Sequence, residues 1–302
     1  SASAAAAAAA SAAASAAVLE AISCESMAEV ALTASSRKSA HASTPTPAVT
    51  GSGAEAPSAS EKRCDIGRIA AERAVERVGA RKSKTGAYPV LFDERISSSL
   101  IGHLLQATNG AAISRGSSWL RDALGEQVLP DGLSIIEDPH RVRTSSSRMF
   151  DAEGLATSRR AIVDNGTLTG WTLDLANARK LGMESTANAV RGTSSPPSPS
   201  LSNIALTQGN QSRAELIAQM GTGLLITSMI GSTINPNTGD YSRGASGFWV
   251  ENGEITYAVN ECTVAGNLRD MLMRMTPAND AQLHLSHVVP SLLIEGLTLA
   301  GD

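Results

Sequence analysis

From about residue 61 the chain switches repeatedly between helical and strand periodicity. "DIGRIAAERAVERVGA" (65–80) sets apolar residues at helical spacing with charges on the other face, so it predicts an amphipathic helix. "AYPVLFD" (87–93) predicts a short apolar strand, and "ERISSSLIGHLLQA" (94–107) an apolar helix carrying His103. "LSIIEDP" (133–139) predicts a strand stopped by Pro139. Two β-rich arms flank Asn165-Gly166 in "SRRAIVDNGTLTGWTLDL" (158–175), a hairpin signal. "ANARKLGM" (176–183) predicts a short helix closing at Gly182, "RGTSSPPSPSLSN" (191–203) a loop, and "NIALTQG" (203–209) a strand.

"SRAELIAQMGTGLLITSMIG" (212–231) opens with a capping box, Ser212 and Glu215, and reads as a helix interrupted by glycines. A second hairpin is predicted around Asn252-Gly253 in "GFWVENGEITYAVNE" (247–261). The helical "AGNLRDMLMRM" (265–275) and the strand "PSLLIEGLTL" (290–299) follow. Strands that come mostly as hairpins, with helices interspersed, define an α+β class with antiparallel, β-rich sheet in the C-terminal part.

The first 60 residues do not follow this grammar. Residues 1–17 are only Ala and Ser, and "ASTPTPAVTGSGAEAPSAS" (42–60) has a linker composition. Residues 1–60 are therefore an unassigned, low-complexity segment whose side chains read as incompletely identified. Residues 61–302 are the interpretable region, with a central α/β part over about 61–200 and a C-terminal part over 201–302.

Composition narrows the function. Of 302 residues, 42% are hydrophobic but only 3% aromatic, so the core is built from aliphatic residues. The formal charge of −4 and the lack of a long basic run argue against a nucleic-acid footprint; "RVRTSSSR" (141–148) and Arg159-Arg160 read as solvated surface. No apolar run is long enough to span a bilayer. The opening residues lack a basic n-region and a leucine-rich h-region, so they do not read as a signal peptide. Cys24, Cys64 and Cys262 form no CxxC pair, which fits free thiols in a reducing, cytoplasmic setting.

Three stretches, "RGTSSPPSPSLSNIAL", "TGDYSRGASGFWVENGEITYAVNE" and "AGNLRDML", are specific when taken together with "FDAEGLATSRRAIVDNGTLTGWTLDLANARKLG". They resemble the TldD/PmbA family, also called modulators of DNA gyrase, and within it the PmbA or TldE branch. The resemblance runs from about Asp65 to Gly301; residues 1–60 do not match the family's longer N-terminal region. It implies a TldD/PmbA-like fold and a metallopeptidase system in which a TldD chain pairs with a TldE chain to degrade small or unfolded peptides. It further implies that TldD carries the zinc site, in an HExxxH motif on a helix, and that TldE lacks it.

Laid on this chain, the motif falls on residues 98–103. His103 stands at the second histidine, Ser98 at the first, and Ser99 at the glutamate. A catalytic zinc needs about three nitrogen, sulfur or carboxylate donors and a base for its water. A serine hydroxyl supplies neither near neutral pH. Residues five apart on a regular helix also diverge by about 140°, so His103 is expected to be a relic packed into the fold unless Gly102 distorts the helix. No metal and no cofactor are expected in this chain; zinc is expected in a TldD-type partner.

Other candidates are weaker. His284 and His287, three apart on a predicted strand or loop, point to opposite faces. His140 lies in a polar loop, and Cys262 reads as a buried, inert thiol. "TGDYSRGASGFW" (238–249) is the best remaining substrate-binding candidate: Gly239, Gly244 and Gly247 permit tight turns, while Tyr241, Ser242 and Arg243 offer hydrogen bonds and a cation for a peptide carboxylate. Arg191 would wall the same groove from the proline-rich loop. The alternative for Arg243 is to brace an interior loop.

Three functions follow for testing. The first is a non-catalytic TldE-type subunit, paired with a TldD-type chain or with itself as a homodimer, and handling peptide. The second is an independently active metallopeptidase using an unrecognised site. The third is a gyrase or nucleic-acid-binding modulator.

Overall fold

The computed structural model describes residues 59–301, with side chains from Asp65 onward apart from those of Ser232 and Thr233. The low-complexity segment lies outside the described residues up to residue 58. Two compact units divide at Val78/Gly79. The first holds helix α1 (Ala59–Val75), where the 65–80 pattern predicts a helix.

The second unit is built on a sheet that closes on itself. β1 (Gly86–Phe92) runs parallel to β8 (Gly223–Ile234), and β8 pairs antiparallel with β9 (Asp240–Glu251). β9 turns into β10 (Glu254–Asn267) through Asn252-Gly253, both at positive φ (54° and 78°) as a two-residue hairpin turn requires. β10 pairs with the end of β13 (Leu292–Ala300), β13 pairs with β1, and β11 (Met275–Pro277) extends the sheet beside the start of β13. The register slips between Tyr88 and Val90, opposite Gly296 at φ 71°. Pro89, which has no N–H for the ladder, sits at that irregularity, where the missing bond is tolerated.

Strand alternation sends side chains to two clusters. On one side Val90, Phe92, Leu224, Ile226, Trp249 and Val264 bury against Leu100, Ile101 and Leu104 of helix α2 (Glu94–Ala107). On the other, Leu91, Leu225, Val250 and Leu293 meet Leu216 and Met220 of helix α5 (Arg213–Met220). The α+β class holds, and this sheet is mixed, because β1 and β8 run parallel.

A second sheet has the order β12-β7-β2-β3-β4, from β2 (Ile135–Glu137), β3 (Arg160–Asp164), β4 (Thr167–Leu168), β7 (Ile204–Leu206) and β12 (His287–Val288). Its hairpin turns at Asn165-Gly166, as the sequence indicates. Buried Glu137 ties it together: one oxygen accepts Arg160 Nε at 2.9 Å, the other Asn188 Nδ2 and Ser202 N at 2.8 Å each. Short helices α3 (Gly110–Ser114) and α4 (Leu175–Leu181) flank a two-stranded sheet of β5 (Ala189–Val190) and β6 (Ser198–Pro199); α6 (Leu268–Met273) follows β10. Helix α4 ends at Gly182 in the left-handed region, as predicted.

Two local expectations are corrected. The segment 212–231 is not one interrupted helix: α5 stops at Gly221 (φ 65°), and "GLLITSMIGSTI" is β8. An apolar run buried on both faces has the same pattern in either state, and the paired neighbours β1 and β9 decide for strand. Gly244 and Gly247 do not make turns but lie inside β9; of the three glycines only Gly239 takes a turn conformation, at φ 79°. Gly247 is there for space, because a Cβ on it would lie 1.9 Å from the carbonyl oxygen of Leu225.

Gly247→Ala is accordingly expected to destabilise the chain by about 3 kcal/mol, by forcing β8 and β9 apart. The midpoint of denaturant unfolding measures this, and a wild-type midpoint would show that the strands yield freely.

Candidate functional site

Helix α2 starts at Asp93, which accepts the backbone N–H of Arg95 at 3.2 Å as N-cap. The Asp93 carboxylate is fully buried and takes Arg95 Nη2 at 3.0 Å and, from the first turn of α5, Arg213 Nη2 at 3.0 Å. Burial alone would raise its pKa. The hydrogen bonds from Arg95 and Glu94 and the charge of Arg213 outweigh burial and hold it below the usual carboxylate range. Neighbouring Glu94 moves the other way, to about 7, through burial first and then the hydrogen bond and charge of Asp93. The carboxylates and the two arginines thus fasten the start of α2 to the start of α5.

From there α2 runs unbroken to Ala107, and Gly102 introduces no distortion. Ser98 and His103 therefore diverge as regular helical geometry demands. Ser99 Oγ donates to the Ile96 carbonyl at 2.7 Å within its own helix. The His103 ring meets Tyr241 edge-on, with centroids 5.9 Å apart, and its Nε2 is sealed from solvent without a hydrogen-bond partner. Burial, then the charge of Arg243, lowers its pKa to about 4, so the ring is neutral near pH 7. Burial likewise pushes Tyr241 up to about 12.

β9 separates the three predicted substrate residues. Tyr241 and Arg243 share the face toward His103, and Ser242 takes the other by strand alternation. Arg243 Nε donates 2.8 Å to the carbonyl of Gly231, where β8 slips register against β9. This is the bracing role, made by a guanidinium that also stands beside His103. Arg191 is exposed on the turn between β5 and β6, a sheet that does not pair with the barrel strands.

The donor set at residues 98–103 does not fit a metal. Ser98 and Ser99 offer only hydroxyls, and the Arg243 guanidinium close to the His103 imidazole repels a divalent cation. Among the described residues, no three His, Cys, Asp or Glu side chains gather where an ion could be held. His284 and His287 are both exposed, and His140 Nε2 lies 3.1 Å from Thr157 Oγ1. Cys262 is buried against Ser83 Oγ at 2.9 Å, and burial raises its thiol pKa, which makes it a poor nucleophile. The Asp93–Glu94–Arg95–Arg213 cluster was not anticipated. Aspartate ahead of an apolar helix is an N-cap signal that points to Asp93, but nothing local in sequence pairs it with Arg213.

Residues 85–301 match the PmbA/TldA metallopeptidase C-terminal domain. The Haemophilus influenzae metalloprotease PmbA homolog is 42% identical over 78% of this chain and 51% of its own length. The Escherichia coli O157:H7 metalloprotease PmbA is 40% identical over the same shares. A crystal structure from Bacteroides thetaiotaomicron, of a protein named as a modulator of DNA gyrase, superposes with a TM-score of 0.71 at 34% identity, covering 78% of this chain and 52% of that one. TldE from Thermococcus kodakarensis shares the fold, with a TM-score of 0.69 at 24% identity over 78% of this chain and 56% of its own. A family-wide match across the barrel and the second sheet decides the matter: the chain belongs to the PmbA/TldD metallopeptidase family. It spans about half the length of the curated relatives it matches.

The two shifted groups on α2 predict opposite pH effects. His103, lowered from 6.5 to about 4, contributes stability that is fully present above pH 6.5 and is lost as pH falls toward 4. Glu94, raised from 4.5 to about 7, contributes stability that is present below pH 4.5 and is lost as pH rises through 7. In melting curves between pH 4 and 8, His103→Phe should flatten the acid limb and Glu94→Gln the neutral limb. Parallel curves for wild type and both variants would contradict these assignments.

Proposed function

We propose that this chain is the non-catalytic, TldE-type member of a peptidase pair, working in the cytoplasm with a metal-bearing TldD-type chain on small or unfolded peptides. The observation that carries the reading is the state of α2. Its regular geometry, the hydroxyls of Ser98 and Ser99 at the motif positions, and a neutral His103 packed on Tyr241 beside Arg243 support a chain that does not hold the catalytic metal at these positions. A subunit in this position contributes surface instead of chemistry. The face of β9 that carries Tyr241 and Arg243 meets α2 at His103. Self-association through the same pairing surface would give a two-fold dimer without peptidase activity. No helix among the described residues is long and apolar enough to cross a membrane.

The test is reconstitution with a TldD-type chain from a PmbA/TldD-family system. The isolated chain should leave an unstructured peptide intact, the two chains should co-purify, and the mixture should cleave the peptide with loss of activity on chelation. Cleavage by this chain alone, surviving His103→Phe, would replace the reading with an independent hydrolase. Salt-sensitive DNA binding without any peptidase association would favour the gyrase-modulator reading.

A further inference from the structure

The second sheet holds a cavity that the peptidase reading does not use. On the solvent-facing side of β2 and β7, Ile136 stands opposite Ala205 in the strand register, and both are half-buried. Above them lies a cavity of about 240 Å³, walled by Asp138, Arg141 and Arg159. An apolar floor under a concave, open face is a place for a ligand's hydrocarbon part. The volume is below the usual range for drug-sized ligands and suits a molecule the size of one amino acid.

The charges in the wall decide what else the ligand carries. Arg141 is fixed: its two terminal nitrogens donate to the carbonyls of Leu283 and Leu285, and no carboxylate neutralises it among the described residues. Arg159 is exposed and makes no hydrogen bond or ion pair among the described residues, so its guanidinium is uncommitted. Asp138 is the one acid in the wall, and its Oδ1 accepts the backbone N–H of His140 at 2.9 Å. The cavity is therefore net positive on a chain of net charge −4. A guanidinium with free donors matches a carboxylate in a planar fork.

We propose that this cavity binds an aliphatic carboxylate of amino-acid size, its hydrocarbon part on Ile136 and Ala205 and its carboxylate on Arg159. Two sources share that chemistry, a small branched-chain acid and the carboxyl-terminal residue of a peptide. The site lies on a different sheet from the one that packs against α2 and does not depend on the peptidase reading.

Titration of the full chain, followed by amide chemical shifts, tests it with three probes: 4-methylpentanoate, N-acetyl-leucine and the neutral N-acetyl-leucinamide. Both carboxylates should bind with Kd of about 1 mM, as expected for so few atoms. They should shift residues around Ile136 and Ala205, and the amide should bind about tenfold more weakly. Arg159→Gln, which removes no contact of the fold, should weaken both acids by a similar factor. N-acetyl-leucine binding well ahead of 4-methylpentanoate would assign the site to peptide termini, and equal binding to small acids. The proposal is overturned if the amide matches the acids, if Arg159→Gln changes nothing, or if the shifts fall elsewhere.

Discussion

Everything at the motif positions follows from one packing contact, the burial of Leu100, Ile101 and Leu104 of α2 against the closed sheet. Those three side chains are fully excluded from water, and each is worth about 2 kcal/mol of transfer free energy. With that face fixed inward, the rotation of the helix is fixed too. Ser98 and His103 must then leave the helix in different directions, and no side-chain rearrangement brings them together. Ser98 and Ser99 carry only hydroxyls, and among the described residues no three His, Cys, Asp or Glu side chains gather around the His103 imidazole.

Electrostatics along the same helix point the same way. At its start, buried Asp93 is held ionised by Arg95 and Arg213, which anchors α2 to α5 across the wall formed by β1. A buried pair of this kind is worth little as net stability, but loss of one partner is costly, so it fixes position more than it adds energy. Further along, Arg243 stands by His103 while bonding Gly231 at the slip in β8. A cation used as a strand brace would be a poor neighbour for zinc.

Much of the architecture was readable in the sequence where the signals were local. The Asn165-Gly166 and Asn252-Gly253 turns, the Ser212–Glu215 capping box and the Gly182 stop all lie where the residues placed them, because each needs only its own neighbours. The misreading of "GLLITSMIG" has a physical origin: a strand apolar on both faces loses the alternation that separates it from a helix. Closure of the sheet by β13 on β1 is set by pairing across most of the chain, which no window detects. The same holds for the site. Sequence suggested that Tyr241, Ser242, Arg243 and Arg191 work together, but alternation along β9 turns Ser242 away, and Arg191 belongs to a separate two-stranded sheet. The packing of Tyr241 on His103 and the link from Asp93 to Arg213 join residues far apart in sequence.

The most direct measurement is zinc content of the purified chain by elemental analysis, after incubation with excess zinc and removal of unbound ion. If the proposed non-catalytic role is right, the chain, with Ser98, Ser99 and a neutral His103, should retain no stoichiometric metal. About one tightly held zinc per chain, lost in His103→Phe, would contradict this. Residues 98–103 would then have to be treated as a working centre.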